Sequence, residues 1–266
     1  MTGEVESNLH GALLNGAAHP DISDKDRMPF GYPDTIVLPT GETRTGNMVP
    51  APVWLIQGSD RTILIDTGLG DVAEAIAVPA RYGSPYMASR SEEQDIVAGL
   101  AQYGVEPQDI DTVVLTHLHY DHIGNNELFS NATFIVQKDE LDLALNPPKF
   151  CMFYFPEYAY KLSVVADRLV VIDGDYEIND DVRLIKIGGH TPGCQSVLVK
   201  IDGAVVCLTS DVMYNYRNLE LDWPIGSFWN LKELISGYKR IRREADIIVP
   251  QHDWQIFDKH PTGTIR

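Results

Sequence analysis

The chain has 266 residues, 44% of them hydrophobic, which is enough for one large domain with a substantial core. It carries 21 Lys and Arg against 38 Asp and Glu, a formal net charge of −17 at pH 7. This balance argues against nucleic acid as a partner and against nuclease activity, because binding to a phosphate backbone depends on clustered Lys and Arg.

The N-terminal segment is polar, is interrupted by Gly and Pro, and lacks a basic head followed by an apolar run. Residues 1–35 are therefore predicted to form an arm or lid, and residues 36–266 a single main domain. No apolar run approaches the roughly 18 residues that span a membrane.

Cys151, Cys194 and Cys207 are widely spaced without a CxxC motif, which favours free thiols in a reducing compartment. We expect a soluble cytoplasmic protein with no membrane partner.

The first half of the chain combines a hairpin with an amphipathic helix. Apolar runs at 53–56 and 62–65 predict two strands joined by a tight turn. Residues 91–94 have the form of a capping box, and apolar residues then recur at helical spacing until Gly104. The next apolar run, 112–115, predicts a buried strand.

The second half supplies further strands and two helices. The strands are predicted at 133–136, 169–172, 182–187, 196–201, 204–208 and 246–249, and the helices at 138–145 and 231–244. Strand and helix do not alternate regularly, which favours mixed sheets covered by helices. Residues 50–145 and 165–250 each contain several strands and a covering helix, so the predicted fold class is α/β, with two sheets packed as a sandwich.

A dense cluster of polar side chains follows the strand at 112–115. His117, His119, Asp121 and His122 place three imidazoles and a carboxylate within six residues. These groups are the usual ligands of zinc and its first-row neighbours. The alternative interpretation is a polar loop with ordinary hydrogen bonds. Four potential ligands at this density, in a chain with only 8 His, favour a metal-binding edge.

Three other predicted strands are each followed by a residue that can bind a metal. His190 follows the strand at 182–187, Asp211 follows 204–208, and His252 follows 246–249. An Asp or His in a turn after a strand is ordinary when it occurs alone. Together with the cluster, these residues predict ligands that converge on one edge of a sandwich.

The segments THLHYDH, GGHTPG, TSD and PQHD, together with LIDTG, resemble the five-motif pattern of the metallo-β-lactamase superfamily, in the same order over residues 62–252. The resemblance implies an αβ/βα sandwich of two mixed β-sheets flanked by helices, with two metal ions at one edge. It also implies the ligands. One ion would be held by His117, His119 and His190, the other by Asp121, His122 and His252, with Asp211 between them. Asp66 would orient a ligand through a hydrogen bond, or else cap its turn.

Two further segments are similar to the N-acyl homoserine lactonase family. They are HTPGCQS at 190–196 and the spacing from Asp211 to Tyr214, since members carry a tyrosine three residues after the bridging aspartate. The resemblance implies a quorum-quenching dinuclear zinc enzyme that opens a lactone ring with a metal-bridging hydroxide. Tyr214 would donate to the oxyanion and Asp121 would pass a proton to the leaving alkoxide. Tyr214 as a packed aromatic, and cobalt, manganese or iron as the metal, stay open alternatives.

The chain departs from the lactonase pattern at two places. Members commonly have HTPGHQS, whereas position 194 is Cys, which we expect to pack beneath the site. The aromatic stretch 150–156 can serve as core, as a homodimer contact or as a wall of the substrate pocket. Other functions also stay open: hydrolysis of a catabolic lactone, β-lactam or thioester, diiron redox chemistry, or metal binding without catalysis.

Overall fold

The computed structural model describes residues 49–82, 88–148, 154 and 156–265, together with short strands at 6–9, 12–13, 36–37 and 43–44. Its strands in chain order are β1 (Glu6–Leu9), β2 (Ala12–Leu13), β3 (Ile36–Val37), β4 (Thr43–Arg44), β5 (Pro50–Ala51), β6 (Trp54–Gln57), β7 (Ile63–Ile65), β8 (Thr112–Val114), β9 (Thr133–Gln137), β10 (Leu169–Ile172), β11 (Tyr176–Glu177), β12 (Val182–Lys186), β13 (Gln195–Ile201), β14 (Ala204–Leu208), β15 (Ile247–Val249) and β16 (Thr264–Ile265). Its helices are α1 (Val72–Arg81), α2 (Ile96–Ala101), α3 (Lys138–Leu145), α4 (Ala159–Ser163), α5 (Tyr216–Leu221), α6 (Leu231–Glu244) and α7 (Gln255–Lys259).

The strands of the described residues form two main sheets. One has seven strands in the order β10-β9-β8-β7-β6-β1-β16, and the other has five in the order β11-β12-β13-β14-β15. Both sheets are mixed. In the first, β7, β8, β9 and β10 run parallel while β6 is antiparallel to β7. In the second, β14 is antiparallel to β13 and parallel to β15. Two further short pairs are β2 with β5 and β3 with β4.

The two sheets pack face to face over a shared apolar layer. Their buried side chains form one cluster, which includes Trp54, Ile56, Ile63, Ile65, Val114 and Ile135 from the first sheet and Val182, Leu184, Val197, Val199, Val206 and Leu208 from the second. Burial of one such aliphatic side chain contributes about 1.5–3 kcal/mol. The predicted sandwich of two sheets flanked by helices is confirmed.

Helices cover the outer face of each sheet. Leu64, Val113 and Phe134 belong to a cluster that also holds buried apolar side chains of α1, α2 and α3. On the other side, Leu234 and Tyr238 of α6 belong to a third cluster, whose members on the second sheet include Ile185, Leu198 and Cys207. The architecture is therefore helix, sheet, sheet, helix.

The parallel strands bring their carboxyl ends to the same edge. The chain leaves β7 at Asp66 and β8 at the cluster 116–122, and these strands are parallel neighbours. In the second sheet, β12 and β14 are both antiparallel to β13, and β15 is parallel to β14. Strands β12, β14 and β15 therefore lead to His190, Asp211 and His252 at one end of that sheet.

Most predicted elements agree with the structure. Helices α3 and α6 have the predicted bounds, and the capping box at Ser91 is present, although it begins a short 3-10 turn ahead of α2. Helix α1 has no counterpart among the predicted elements. It begins after Asp71, whose side chain accepts from the backbone N–H of Glu74, and it contains Pro79.

Strand β1 falls within the segment predicted to be an arm and pairs with β6 in the larger sheet. Apart from β1 and β2, residues 1–35 lie outside the described residues, and so do residues 150–153 and 155 of the aromatic stretch. Among the residues that are described, none of the helices combines the length and the apolar character needed to cross a membrane.

Candidate metal centre

The loops after β7 and β8 are joined by backbone hydrogen bonds. The N–H of Gly124 donates to the carbonyl of Gly68 at 2.8 Å, and the N–H of Thr67 donates to the carbonyl of His122 at 2.7 Å. A Cβ atom on Gly124 would lie 2.0 Å from the backbone nitrogen of Gly70. The close approach of these two loops therefore requires glycine at position 124. The approach sets the position of His122 relative to β7.

Asp66 lies at the end of β7 with a left-handed backbone, φ 62°. Its Oδ1 accepts from the N–H of Thr116 and its Oδ2 from the Thr116 hydroxyl, both at 2.7 Å. Nδ1 of His122 is 2.7 Å from the same Oδ2. Because a carboxylate can only accept, the His122 proton belongs on Nδ1, and Nε2 becomes the atom that faces the site.

The structure brings seven of the predicted side chains together in two neighbouring groups. Within each group, the atoms able to bind a metal lie within 4.8 Å of one another. The first group is His117, His119, His190 and Asp211, and the second group is Asp121, His122 and His252. All except Asp121 are buried.

Asp211, counted with the first group, lies between the histidines of that group and the second group. Its Oδ2 faces the first group, 3.4 Å from Nε2 of His190 and 3.7 Å from Nε2 of His117. Its Oδ1 faces the second, 3.0 Å from Nε2 of His252 and 3.3 Å from Nε2 of His122. One carboxylate can therefore present one oxygen to each group.

The buried atoms of these groups fit divalent cations. Nδ1 of His119 lies 3.0 Å from Nε2 of His117 and 3.2 Å from Nε2 of His190, so three ring nitrogens converge. Among the described residues, Nε2 of His122 and Oδ1 of Asp211 are buried and form no hydrogen bond of proper geometry. Buried polar atoms without partners are costly. Coordination of zinc or a first-row neighbour, which favours nitrogen and carboxylate ligands, would satisfy them.

Carbonyl oxygens orient two more of the rings. The carbonyl of Ser227 lies 2.8 Å from Nδ1 of His190, and the carbonyl of Pro50 lies 2.7 Å from Nδ1 of His252. A carbonyl accepts, so each Nδ1 carries the proton and each Nε2 is directed at Asp211. Both rings are thus held in the tautomer suited to metal binding.

The two groups differ electrostatically. Burial lowers the pKa of His117 and of His119 well below the usual value, which keeps both rings neutral. Burial also disfavours the charged form of His122, but the carboxylates of Asp211, Asp66 and Asp121 outweigh it and raise the pKa of His122 well above its usual value. The pKa of His252 is raised as well, because Asp211 outweighs burial.

This asymmetry predicts that zinc binding releases protons, chiefly from the second group. His122 and His252 hold their protons to higher pH than ordinary histidines, and each must lose its proton from Nε2 before it binds a cation. Affinity should therefore rise with pH through these raised pKa values and fall below them. Calorimetric titration of the metal-free protein at pH 7 in buffers of different ionisation enthalpy should give a release of about one to two protons. Heats independent of the buffer would contradict this.

Tyr214 lies at the same edge, between two of the histidines. Its ring stands edge-on to His190 and His252, with centroids 5.9 and 5.2 Å apart. The backbone N–H of His252 donates to the carbonyl of Tyr214 at 2.7 Å. The N–H of Tyr214 donates to Oδ1 of Asn218 at 3.2 Å. The half-buried aromatic ring is thus held beside both ligand groups.

Cys194 is fully buried and packs in the third cluster with Val212 and Met213, as expected. Burial raises the pKa of its thiol well above the usual value, so it is a poor source of thiolate. It is absent from the two ligand groups. Tyr154, from the aromatic stretch 150–156, lies beside His119. Sequence reasoning missed one other residue near the site, Glu140. Glu140 follows β9 in the first turn of α3, where an acidic residue is ordinary.

Comparisons with known proteins agree with this geometry. The family model described as the metallo-beta-lactamase superfamily matches residues 46–252. An N-acyl homoserine lactonase of Bacillus cereus is 31% identical over 218 residues, which are 78% of this chain and 84% of the relative. N-acyl homoserine lactonase AiiA of Bacillus thuringiensis subsp. kurstaki is 32% identical over 221 residues, with the same coverage of 78% and 84%.

A solved structure is also similar. It is an N-acyl homoserine lactone hydrolase with the product N-hexanoyl-L-homoserine at its catalytic metal centre. It is 26% identical to this chain, has a TM-score of 0.70 and is matched over 97% of each chain. With these matches to the sequence, the fold and the motifs, the chain belongs to the metallo-β-lactamase superfamily and, within it, to the family of the N-acyl homoserine lactonases.

Proposed function

We propose that this protein hydrolyses the ester bond of N-acyl homoserine lactones and that it does so with two zinc ions. The observation that carries the proposal is the position of Asp211, with one oxygen toward each ligand group and Tyr214 beside both. The relatives named N-acyl homoserine lactonases support this substrate class. A metal-dependent ester hydrolase with another substrate would share the ligands. The preference for acyl homoserine lactones as the substrate therefore rests on the relatives.

The ligand residues would divide between two cations. His117, His119 and His190 would hold one, Asp121, His122 and His252 the other, and Asp211 would contact both. When bound, such cations lower the pKa of water from 15.7 to about 7 and polarise a carbonyl oxygen. The buried rings of His122, His190 and His252 have carboxylate or carbonyl partners on Nδ1. These partners orient the rings before substrate arrives.

Two side chains would act on the substrate itself. The Tyr214 hydroxyl would donate a hydrogen bond to the carbonyl oxygen of the lactone as negative charge develops there. The partly exposed carboxylate of Asp121 would carry a proton to the alkoxide that leaves when the ring opens. Overall, one water adds across the ester C–O bond, and the products are a carboxylate, a hydroxyl and one released proton.

The test is hydrolysis of N-hexanoyl homoserine lactone by protein of known metal content. We expect one proton per ring opened in a pH-indicator assay, with N-hexanoyl homoserine as the product by mass spectrometry. Removal of the metal with a chelator should abolish the activity, and zinc should restore it, because the cations supply the nucleophile.

Competing substrates make this experiment decisive. A chromogenic β-lactam, an acyl thioester and a simple γ-lactone without the acyl-amide group serve as controls at equal concentration. Higher kcat/KM on any of them than on the acyl homoserine lactone would overturn the substrate class. A visible absorption band in the protein as purified would point to iron or cobalt in place of zinc, since zinc sites are colourless. A homodimer, a cytoplasmic location and the division of the chain at residue 35 stay predictions.

A further inference from the structure

Glu140 is a buried acidic residue that the proposed chemistry does not use. It lies in the first turn of α3 and its exposed fraction is 0%. A buried carboxylate is costly unless hydrogen bonds satisfy it. Its place in the fold, on a helix that covers the first sheet, does not by itself require a carboxylate.

Four donors satisfy the two oxygens of Glu140. Oε1 accepts from the backbone N–H of Leu118 at 2.9 Å and from the hydroxyl of Tyr154 at 2.5 Å. Oε2 accepts from the hydroxyl of Thr191 at 2.6 Å and from the backbone N–H of Gly193 at 3.1 Å. All four contacts are buried, so water does not compete for them.

Three of these donors belong to the two segments that supply the histidines of the first ligand group. Leu118 lies between His117 and His119, and Thr191 directly follows His190. The segments are more than 70 residues apart in sequence, and one carboxylate connects them. The ring of Tyr154, held by the same oxygen, stands edge-on to His119 at 4.9 Å between centroids.

Gly193 shows how closely the second segment approaches α3. A Cβ atom at position 193 would lie 2.4 Å from both the backbone nitrogen and the Cβ of Glu140. Any side chain there would displace the loop after His190 from the helix. The glycine of the HTPG motif therefore permits the hydrogen bonds to Glu140, and the threonine of the same motif makes one of them.

We propose that Glu140 is a positioning residue for the first ligand group: it sets the separation between the His117–His119 segment and His190, and so controls the affinity of the cation held there. The inference rests on the proposed dinuclear site. The second group has other supports, Asp66 for His122 and the Pro50 carbonyl for His252. Loss of Glu140 should therefore weaken one cation selectively.

The Glu140→Gln variant tests this. An amide has one acceptor oxygen and one donor nitrogen, whereas the backbone N–H groups of Leu118 and Gly193 donate to different oxygens of Glu140. One N–H must then face an NH₂ group. We expect zinc affinity at the first group to fall about 10- to 100-fold, as is typical when a residue that orients ligands is lost, while affinity at the second is unchanged.

Chelator-competition titrations of zinc provide the readout, without an activity assay. The two sites are distinguished in two backgrounds. His252→Ala removes a ligand of the second group, and His190→Ala removes a ligand of the first group. Glu140→Gln should weaken binding in the first background and leave it unchanged in the second. Asp142→Asn is the matched control, since it removes a carboxylate from the same helix where the side chain is 61% exposed.

A second variant guards against misfolding. Thr191→Val keeps the shape of the side chain and removes only one of the four donors, so it should weaken the same cation by a smaller factor. Thermal melting of the metal-free variants measures stability separately. Lower melting temperatures with unchanged zinc affinity would mean that Glu140 only stabilises the packing of α3, and the inference would fail. If the unmodified protein itself bound no zinc, the proposed function would fail instead.

Discussion

Replacing Asp211 by Asn is expected to weaken metal binding on the order of 10²- to 10³-fold and to abolish hydrolysis. Asp211 presents one oxygen to each ligand group. Four buried histidines surround it, and the neutral amide of Asn does not supply the negative charge that Asp211 brings to them. The pKa of Asp211 is held well below its usual value, because the positive charges of His252 and His122 outweigh the effect of burial. Removing one partner from a buried charged cluster costs about 3–5 kcal/mol, and each 1.4 kcal/mol is tenfold in affinity.

Metal analysis after dialysis and competition with a chromophoric chelator measure this loss. Asp202→Asn is a matched control, since Asp202 is exposed in the turn between β13 and β14 and the substitution removes the same charge. Circular dichroism of the metal-free proteins checks that both variants fold. Two equivalents of zinc bound to Asp211→Asn at unaltered affinity would show that the ligand assignment is incorrect.

Replacing Tyr214 by Phe is expected to lower kcat about 10²- to 10³-fold, the usual effect of removing one oxyanion donor. The metals should stay bound. The variant keeps the ring that contacts His190 and His252, and the backbone hydrogen bonds that hold the loop do not involve the hydroxyl. The effect should therefore appear in kcat and not in metal content.

Steady-state kinetics on the acyl homoserine lactone, with metal content measured on the same samples, separate the two roles of Tyr214. Tyr176→Phe removes a hydroxyl from a surface tyrosine, 37% exposed, and serves as the control. Unaltered turnover in Tyr214→Phe would reduce Tyr214 to a packed aromatic. A parallel loss of zinc would instead show that the Tyr214 hydroxyl supports the ligands.

Local patterns in the sequence predicted most of the elements. Helices α3 and α6 were obtained with their observed bounds, because regular apolar spacing and clear end signals determine a helix locally. Helix α1 was missed, since Pro79 near its end and its small side chains weaken the pattern. Asp71 as the N-cap was the signal that could have indicated it.

The candidate ligands could be named from the sequence because each one follows an apolar run that forms a strand. Their division into two groups came from the resemblance to a known family, since spacing along the chain carries no information about which strand ends meet. Glu140 could not be found in this way. Its role depends on donors at positions 118, 154, 191 and 193, and nothing near position 140 in the sequence distinguishes it from an exposed helical acid.

The sequence alone determined which side chains are available for metal chemistry and that they stand at strand ends, because residue type and short-range periodicity are local properties. Only the tertiary structure decided that Asp211 lies between two groups, that Asp66 and two carbonyls orient the rings, and that Glu140 joins two distant segments. These are relations between residues far apart in the chain, and they exist only once two sheets have packed and aligned their strand ends.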